Sequence, residues 1–327
     1  MSPMAVMSAR TLVRVAAVLV AALGSAAALA QGYPTQAVRV LVPFTAGGGT
    51  DILARVFGQR MSEGFGQQVV VDNRPGGNTL VATEATVRAA PDGHTLLMQT
   101  NNLVVNPTLY RKLNYDTLRD LIPISLVAAN PHIIVVHPSV PAKDLKEFVA
   151  LAKRRPGALN FATAGSGTVN HLSAELFQQM AGIRMTHIPY KGSGSVIPDL
   201  LGGQVELMFA ALPVVQQHIR SGRLRAIALT TPKRFRTVPD VPTIGELGYA
   251  GYDFSSWFGL FAPVNTPGPV IERVHAEVAR VAKIAEVRER LADYEIYATS
   301  PQEFAEFVRR EIPRMGKIVR DSGATID

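Results

Sequence analysis

Short β-branched runs alternate with segments of helical spacing in the first hundred residues. Val38–Val42 is a short β-branched run stopped by Pro43, and it predicts a strand. After the loop 44–49 a helix is expected from Thr50–Asp51, with Leu53, Val56, Phe57 and Met61 on one face and Gly64 as its stop. Val69–Val71 reads as the next strand, Asn73–Asn78 as a turn-rich loop, 79–89 as a helix and Thr95–Met98 as a third strand. This β-α-β-α-β order implies a parallel sheet covered by helices.

A second set begins at Ile133–Val136 and continues through helix 143–154 to strand Leu159–Ala162. The loop 163–168 leads into a helix carrying Leu172, Leu176 and Met180. Strand Met185–Ile188, a short helix, strand Val205–Phe209, a helix near 213–220 and strand Leu224–Leu229 complete it. The last part has one apolar strand, Trp257–Ala262, and two helices, one after Thr266–Pro269 and one after Ser300–Pro301. Those helices have no strands of their own, so they are expected to pack back on the first lobe. The chain is thus read as α/β with two lobes: 31–128 plus 254–327, and 129–253. The crossings are expected near 126–132 and 250–258.

The N-terminus changes the picture of where the protein works. Arg10 and Arg14, the apolar run Val15–Leu23 and the small-x-small site Ala28–Ala30 have the order of a cleaved signal peptide over 1–30, with cleavage near Ala30. The apolar run is too short to span a bilayer comfortably. A periplasmic, soluble mature protein is expected.

Composition adds three limits. The length suggests two domains, because single cores stop growing at roughly 250–300 residues. With no Cys, the chain has no disulfide, thiol catalysis or thiolate metal site. The formal charge of +7, or +5 without Arg10 and Arg14, favours approach of anions. Basic residues are not interleaved with aromatics, so nucleic acid is not an expected partner.

Both lobes carry a glycine turn between a strand and a helix: Gly47-Gly48-Gly49-Thr50-Asp51 and Gly165-Ser166-Gly167-Thr168. A helix start leaves N–H groups unpaired and carries partial positive charge, so it seats an anion. Glycine lets a ligand approach that backbone closely. Two such turns, one per lobe, can grip one carboxylate from both sides, and tight turning alone is the plainer reading of either. Neither turn has a nucleotide-binding pattern. Thr50 and Thr168 are candidate caps with hydroxyls that can also meet a ligand. Asp51 either caps its helix or holds an ammonium or hydroxyl of the ligand.

Further candidates surround these turns. Tyr190-Lys191-Gly192 offers a flat wall, a hydroxyl and a charge. His171 either donates to the ligand or caps its own loop. Asn101 follows a strand end that should face the cleft, and Phe44 is a candidate wall. Trp257 is read as core. No G-x-S-x-G or H-E-x-x-H is present, so neither a catalytic residue, a metal nor a cofactor is expected. An exported serine-type hydrolase acting through Ser166 stays open as an alternative, because triads are spatial. A ligand-sensing module for a membrane signalling partner stays open too.

The same residues resemble the Bug receptors, the periplasmic solute-binding components of tripartite tricarboxylate transporters. The likeness covers essentially the whole mature chain. Its marks are Val42-Pro43-Phe44 with Gly47–Asp51, Asn73-Arg74-Pro75-Gly76-Gly77, Ala90-Pro91-Asp92-Gly93, Gly165–Thr168 with His171 and Glu175, Pro189–Gly192, Asp199–Gln204 and Val241-Pro242-Thr243. The resemblance implies a type II-like Venus-flytrap fold with two crossing strands. It implies that loops 44–51 and 164–168 clamp a ligand carboxylate, partly through ordered water, and that two membrane subunits encoded elsewhere receive the ligand. Ligands of such receptors include di- and tricarboxylates, acidic amino acids, aromatic acids and nicotinate-like compounds. Ser195-Val196 departs from a Pro-Ala pair common there, which bears on the distal pocket. A monomer is expected.

Overall fold

The computed structural model describes residues 32–190 and 192–324. The first set comprises β1 (Val38–Val42), α1 (Gly49–Phe65), β2 (Val69–Asn73), a short 3-10 turn (Gly77–Thr79), α2 (Leu80–Val87), β3 (Thr95–Gln99), α3 (Asn102–Leu109), α4 (Thr117–Asp120) and β4 (Leu121–Val136). The second comprises α5 (Leu145–Arg154), β5 (Asn160–Thr163), α6 (Val169–Ala181), β6 (Thr186–Pro189), α7 (Ser193–Leu201), β7 (Leu207–Ala211), α8 (Leu212–Arg220) and β8 (Arg225–Leu229). The chain then returns through β9 (Ser255–Pro263), α9 (Gly268–Val281), α10 (Ala285–Arg290), β10 (Glu295–Ile296) and α11 (Pro301–Ser322).

Strands run in the order β2-β1-β3-β9-β4-β7-β5-β6, with β8 and β10 also on β4. The first lobe's strands are covered on both faces. Val38, Val40 and Val42 of β1 enter one apolar cluster with Leu53, Phe57 and Val274, while Leu41 enters another with Leu97 and Phe304. That two-sided burial is why the middle of β3, Leu96–Met98, is a continuous apolar run and why apolar residues of β1 face both ways, with the exposed Arg39 as its exception.

β4 joins the lobes. Its residues 121–131 pair with β9, and 132–136 pair with β7. The apolar pattern at 133–136 marks only the far end of this strand, which is sixteen residues long. Pro123 and Pro131 punctuate the first part, with register shifts that hide its period-two pattern.

The C-terminal helices divide their work. α9 packs against α1, inside the first lobe as expected. α11 rests mainly on α3 and β4, in line with the expectation, and in addition touches α6 of the second set. Its Ser300 side chain accepts from the Glu303 N–H, and Glu303 reaches back to the Ser300 N–H at 2.9 Å, a complete capping box. Phe304 then lies over Gly259 of β9, where a Cβ would collide with the ring.

Candidate functional site

Strand directions place the two glycine turns. β4 runs from the first lobe into the second. β9 is antiparallel to β4, β3 is antiparallel to β9, and β1 is parallel to β3 and β2. The C-ends of β1, β2 and β3 therefore point towards the second lobe. β7 is antiparallel to β4, and β5 and β6 are parallel to it through β5. Their C-ends point back towards the first lobe. The turns after β1 and β5 thus leave from strand ends that face each other, where ligands bind in open α/β sheets. The lobes meet here. Gly167, at φ +72°, lies so close to Leu109 of α3 that a Cβ on it would collide with that side chain.

The first turn is held from beneath. Asp51 is buried, and its carboxylate accepts from Gly47 N–H at 2.9 Å, Arg55 Nε at 3.0 Å and Asn73 Nδ2 at 2.9 Å. Burial opposes its charge, but these hydrogen bonds and the Arg55 charge outweigh that and hold its pKa below the usual range. Asn73 also donates to the Phe44 carbonyl at 3.0 Å, and Arg55 donates to Asn73 Oδ1 at 2.9 Å. Asp51 is thus a pin for the turn, neither a helix cap nor a group open to ligand ammonium. No side chain caps α1, whose N-cap is Gly48. The N–H groups of Gly48, Gly49, Thr50 and Asp51 are the four that an α-helix leaves without intrahelical partners. Phe44 is half-buried against the first lobe's core, and Tyr294 Oη donates to the Gly49 carbonyl at 3.1 Å.

The second turn is pinned differently. The Thr168 hydroxyl donates to Gly165 O at 2.6 Å instead of capping α6, and no side chain caps that helix. Gly167 N–H donates to His171 Nδ1 at 3.1 Å, which puts the ring proton on Nε2, 3.6 Å from Glu175. The His171 ring stacks on His187 at 4.0 Å, and His187 on Phe161 at 5.0 Å. Burial lowers the His171 pKa to about 3, with His187 adding to it, and burial lowers His187 to about 4. Both rings are neutral platforms. His171 caps its own loop. The Ser166 hydroxyl is exposed and has no hydrogen-bond partner among the described residues.

The other candidates separate. Asn101 is buried with both ends of its amide engaged: Nδ2 donates to Ser255 O at 3.1 Å, and Oδ1 accepts from Trp257 N–H at 3.0 Å. It ties α3 to the crossing strand. Tyr190 Oη donates to Asp199 at 2.6 Å, and that carboxylate, with burial, pushes the phenol up to about 12. Gly192 N–H donates to Ala164 O at 3.0 Å, binding the 190–192 loop to the second turn. Lys191 lies outside the described residues, as does the whole expected signal segment. Trp257 is buried, as expected of core.

Several supporting residues carry no signal that periodicity detects. Arg55 and Asn73, eighteen residues apart, meet only through the β1–β2 pairing. His187 lies under Thr163, with Nε2 2.6 Å from its hydroxyl, because β6 pairs with β5. Among the described residues, no group of three or more His, Cys, Asp or Glu is placed to hold a metal.

The profile of the tripartite tricarboxylate transporter family receptor matches residues 53–324. The chain is 37% identical to the protein BugT of Bordetella pertussis over 326 residues, covering 98% of this chain and 100% of that one. Among solved structures, an R. palustris protein with adipate superposes with a TM-score of 0.84 at 35% identity, over 89% of this chain and 98% of that one. MatC from Rhodopseudomonas palustris with bound malate gives 0.81 at 32% identity, over 88% and 100%.

Proposed function

The chain belongs to the family of tripartite tricarboxylate transporter receptors, and we propose that it is a periplasmic receptor that closes two lobes on one small carboxylate. The observation that carries this reading is the pair of uncapped helix starts, α1 and α6, behind glycine turns that leave from facing strand ends. Each presents unpaired N–H groups and positive dipole to the same gap. The clamp comprises the loops Gly47–Thr50 and Gly165–Thr168: Gly48, Gly49, Thr50 and Ser166 offer free N–H groups, while Gly47, Gly165, Gly167 and Thr168, whose N–H groups are already engaged, shape the backbone around the ligand. Asp51 and His171 position these loops, and Tyr190, Lys191 and Gly192 border the distal part of the ligand. Carboxylates in two relatives, adipate and malate, support the ligand class. Lobe closure then presents one surface to two membrane subunits, and the ligand shifts the open–closed equilibrium. The lobes comprise 31–128 plus 254–327, and 129–253, and the mature chain starts after a signal peptide cleaved near Ala30.

A hydrolase reading gains no support from the geometry. The only histidine near Ser166 along the chain, His171, has Nδ1 occupied by Gly167 N–H and Nε2 turned to Glu175.

The test is thermal unfolding of the mature chain against a panel of C4–C6 dicarboxylates, citrate, aromatic acids and their methyl esters. A carboxylate at about 100 times its dissociation constant should add roughly 2.7 kcal/mol, while its ester adds nothing. Turnover of an ester, with no stabilisation by any acid, would replace the receptor reading with an enzyme.

A further inference from the structure

The charge of the mature chain is unevenly shared. Residues 129–253 hold 13 Lys and Arg against 8 Asp and Glu, while 31–128 and 254–327 together hold 18 of each. The whole excess of +5 therefore sits on the second lobe.

Within that lobe the excess collects at the end away from the cleft. β4 runs into that end, and β5, β6, β7 and β8 all start from it, since β7 and β8 are antiparallel to β4 and β5 and β6 run parallel to β7. Four segments form this pole: 137–160, which carries α5, and the returns into the next strands at 181–186, 201–207 and 220–225. They contain nine Lys and Arg and only three acids. Backbone contacts draw them into one surface. Gly157 N–H donates to Arg184 O at 2.9 Å, and Arg225 donates to the Val140 and Ala142 carbonyls at 3.1 and 3.0 Å, beside Lys143.

Eight of these nine cations are exposed, Arg225 alone being half-buried. None forms an ion pair among the described residues. The three acids face backbone instead: Asp144 accepts from Glu147 N–H at 2.8 Å, Glu147 from Lys143 N–H at 2.7 Å and Glu206 from Asn160 N–H at 2.9 Å. On the first lobe, Arg60, Arg88 and Arg280 are each paired with a carboxylate. Among the described residues, none of the exposed large apolar side chains lies in the four segments of the pole. A protein partner would be held by buried aromatic and apolar anchors. An anionic bilayer attracts through summed charge alone, at about fivefold in affinity for each cation near it.

We propose that this pole docks the protein on an anionic phospholipid bilayer, its Lys and Arg side chains meeting lipid phosphates. The glycine turns leave from the opposite ends of the same strands, so docking leaves the cleft open to its ligand.

The experiment sediments the mature protein with sucrose-loaded vesicles of phosphatidylcholine, alone or mixed equally with phosphatidylglycerol. It is run at low salt and at about 0.5 M NaCl, where screening cuts the reach of a charge to a few ångströms. Binding is expected only with phosphatidylglycerol and only at low salt. Arg154→Gln, Arg155→Gln and Arg184→Gln combined should weaken it at least twentyfold. Lys283→Gln, Arg290→Gln and Arg309→Gln combined remove the same charge from the first lobe and should change it less than threefold. All six side chains are exposed, so both variants should melt as the wild type does. No binding to phosphatidylglycerol vesicles, equal binding to phosphatidylcholine, binding that survives high salt, or equal losses in the two variants would each overturn the proposal. Retention by immobilised polyglutamate without vesicle binding would overturn it too, and assign the pole to an acidic protein.

Discussion

Asp51 shows how a charge that looks hostile to an anion site can support the proposed one. Its carboxylate takes the Gly47 N–H and the Arg55 guanidinium, so it fixes the turn and leaves the later N–H groups free. Asp51→Asn should destabilise the fold by about 2 kcal/mol at pH 7, because a buried charged acceptor loses its strongest partners. It should also weaken carboxylate binding several-fold, as read by calorimetry. The sign with pH follows from its depressed folded pKa. The stabilisation is complete above the unfolded value of about 3.9 and is lost as pH falls through the folded one. The gap between wild type and variant should therefore close in strong acid. The histidines act in a different window. His171 is held down to about 3, and His132 and His187 to about 4, all chiefly by burial. Below about pH 6.5 the unfolded chain gains protons that the folded chain refuses. Stability should thus fall between pH 7 and pH 5, by on the order of 1 kcal/mol for each buried ring. His187→Phe, which keeps the stack and removes one titration, should make that decline shallower in pH-dependent melting. An unchanged slope would remove His187 from this account.

At the scale of elements, Gly167 is the place where backbone conformation and lobe contact coincide. Gly167→Ala puts a methyl group against Leu109 and demands a positive φ from alanine. Carboxylate affinity should drop at least tenfold, and overall stability should fall by about 1 kcal/mol or more from the positive φ and the crowding. Adding Leu109→Ala should recover part of that affinity, and a double variant no better than the single one would show that closure does not depend on this contact. The strand–turn–helix units around both glycine turns were legible in the sequence, because local apolar periodicity and turn residues write them. The pins were not: Arg55 with Asn73 and His171 with His187 are joined by strand pairing, which leaves no local pattern. β4 was legible only at Ile133–Val136, since prolines and register shifts break its earlier half. α11 was legible as a helix from Ser300-Pro301, but its contact with α6 depends on how the lobes stand, which no periodicity records. Asn101 was recognised as lying at a strand end, and only the fold reveals that its amide ties α3 to β9.

At the scale of the molecule, the long strand β4 and the returning β9 make one sheet of two opposed halves. That antiparallel relation turns two sets of strand C-ends towards each other, and the proposed clamp places neutral glycine loops where a salt bridge would otherwise hold the ligand. The claim is best tested by amide NMR of the isotope-labelled mature chain, titrated with whichever carboxylate stabilises it and with the corresponding methyl ester. The account predicts that the amides of Gly48, Gly49 and Thr50 shift together with those of Ser166 and Gly167, along one binding curve, for the acid alone. Shifts confined to one lobe's turn, or an equal response to the ester, would contradict it.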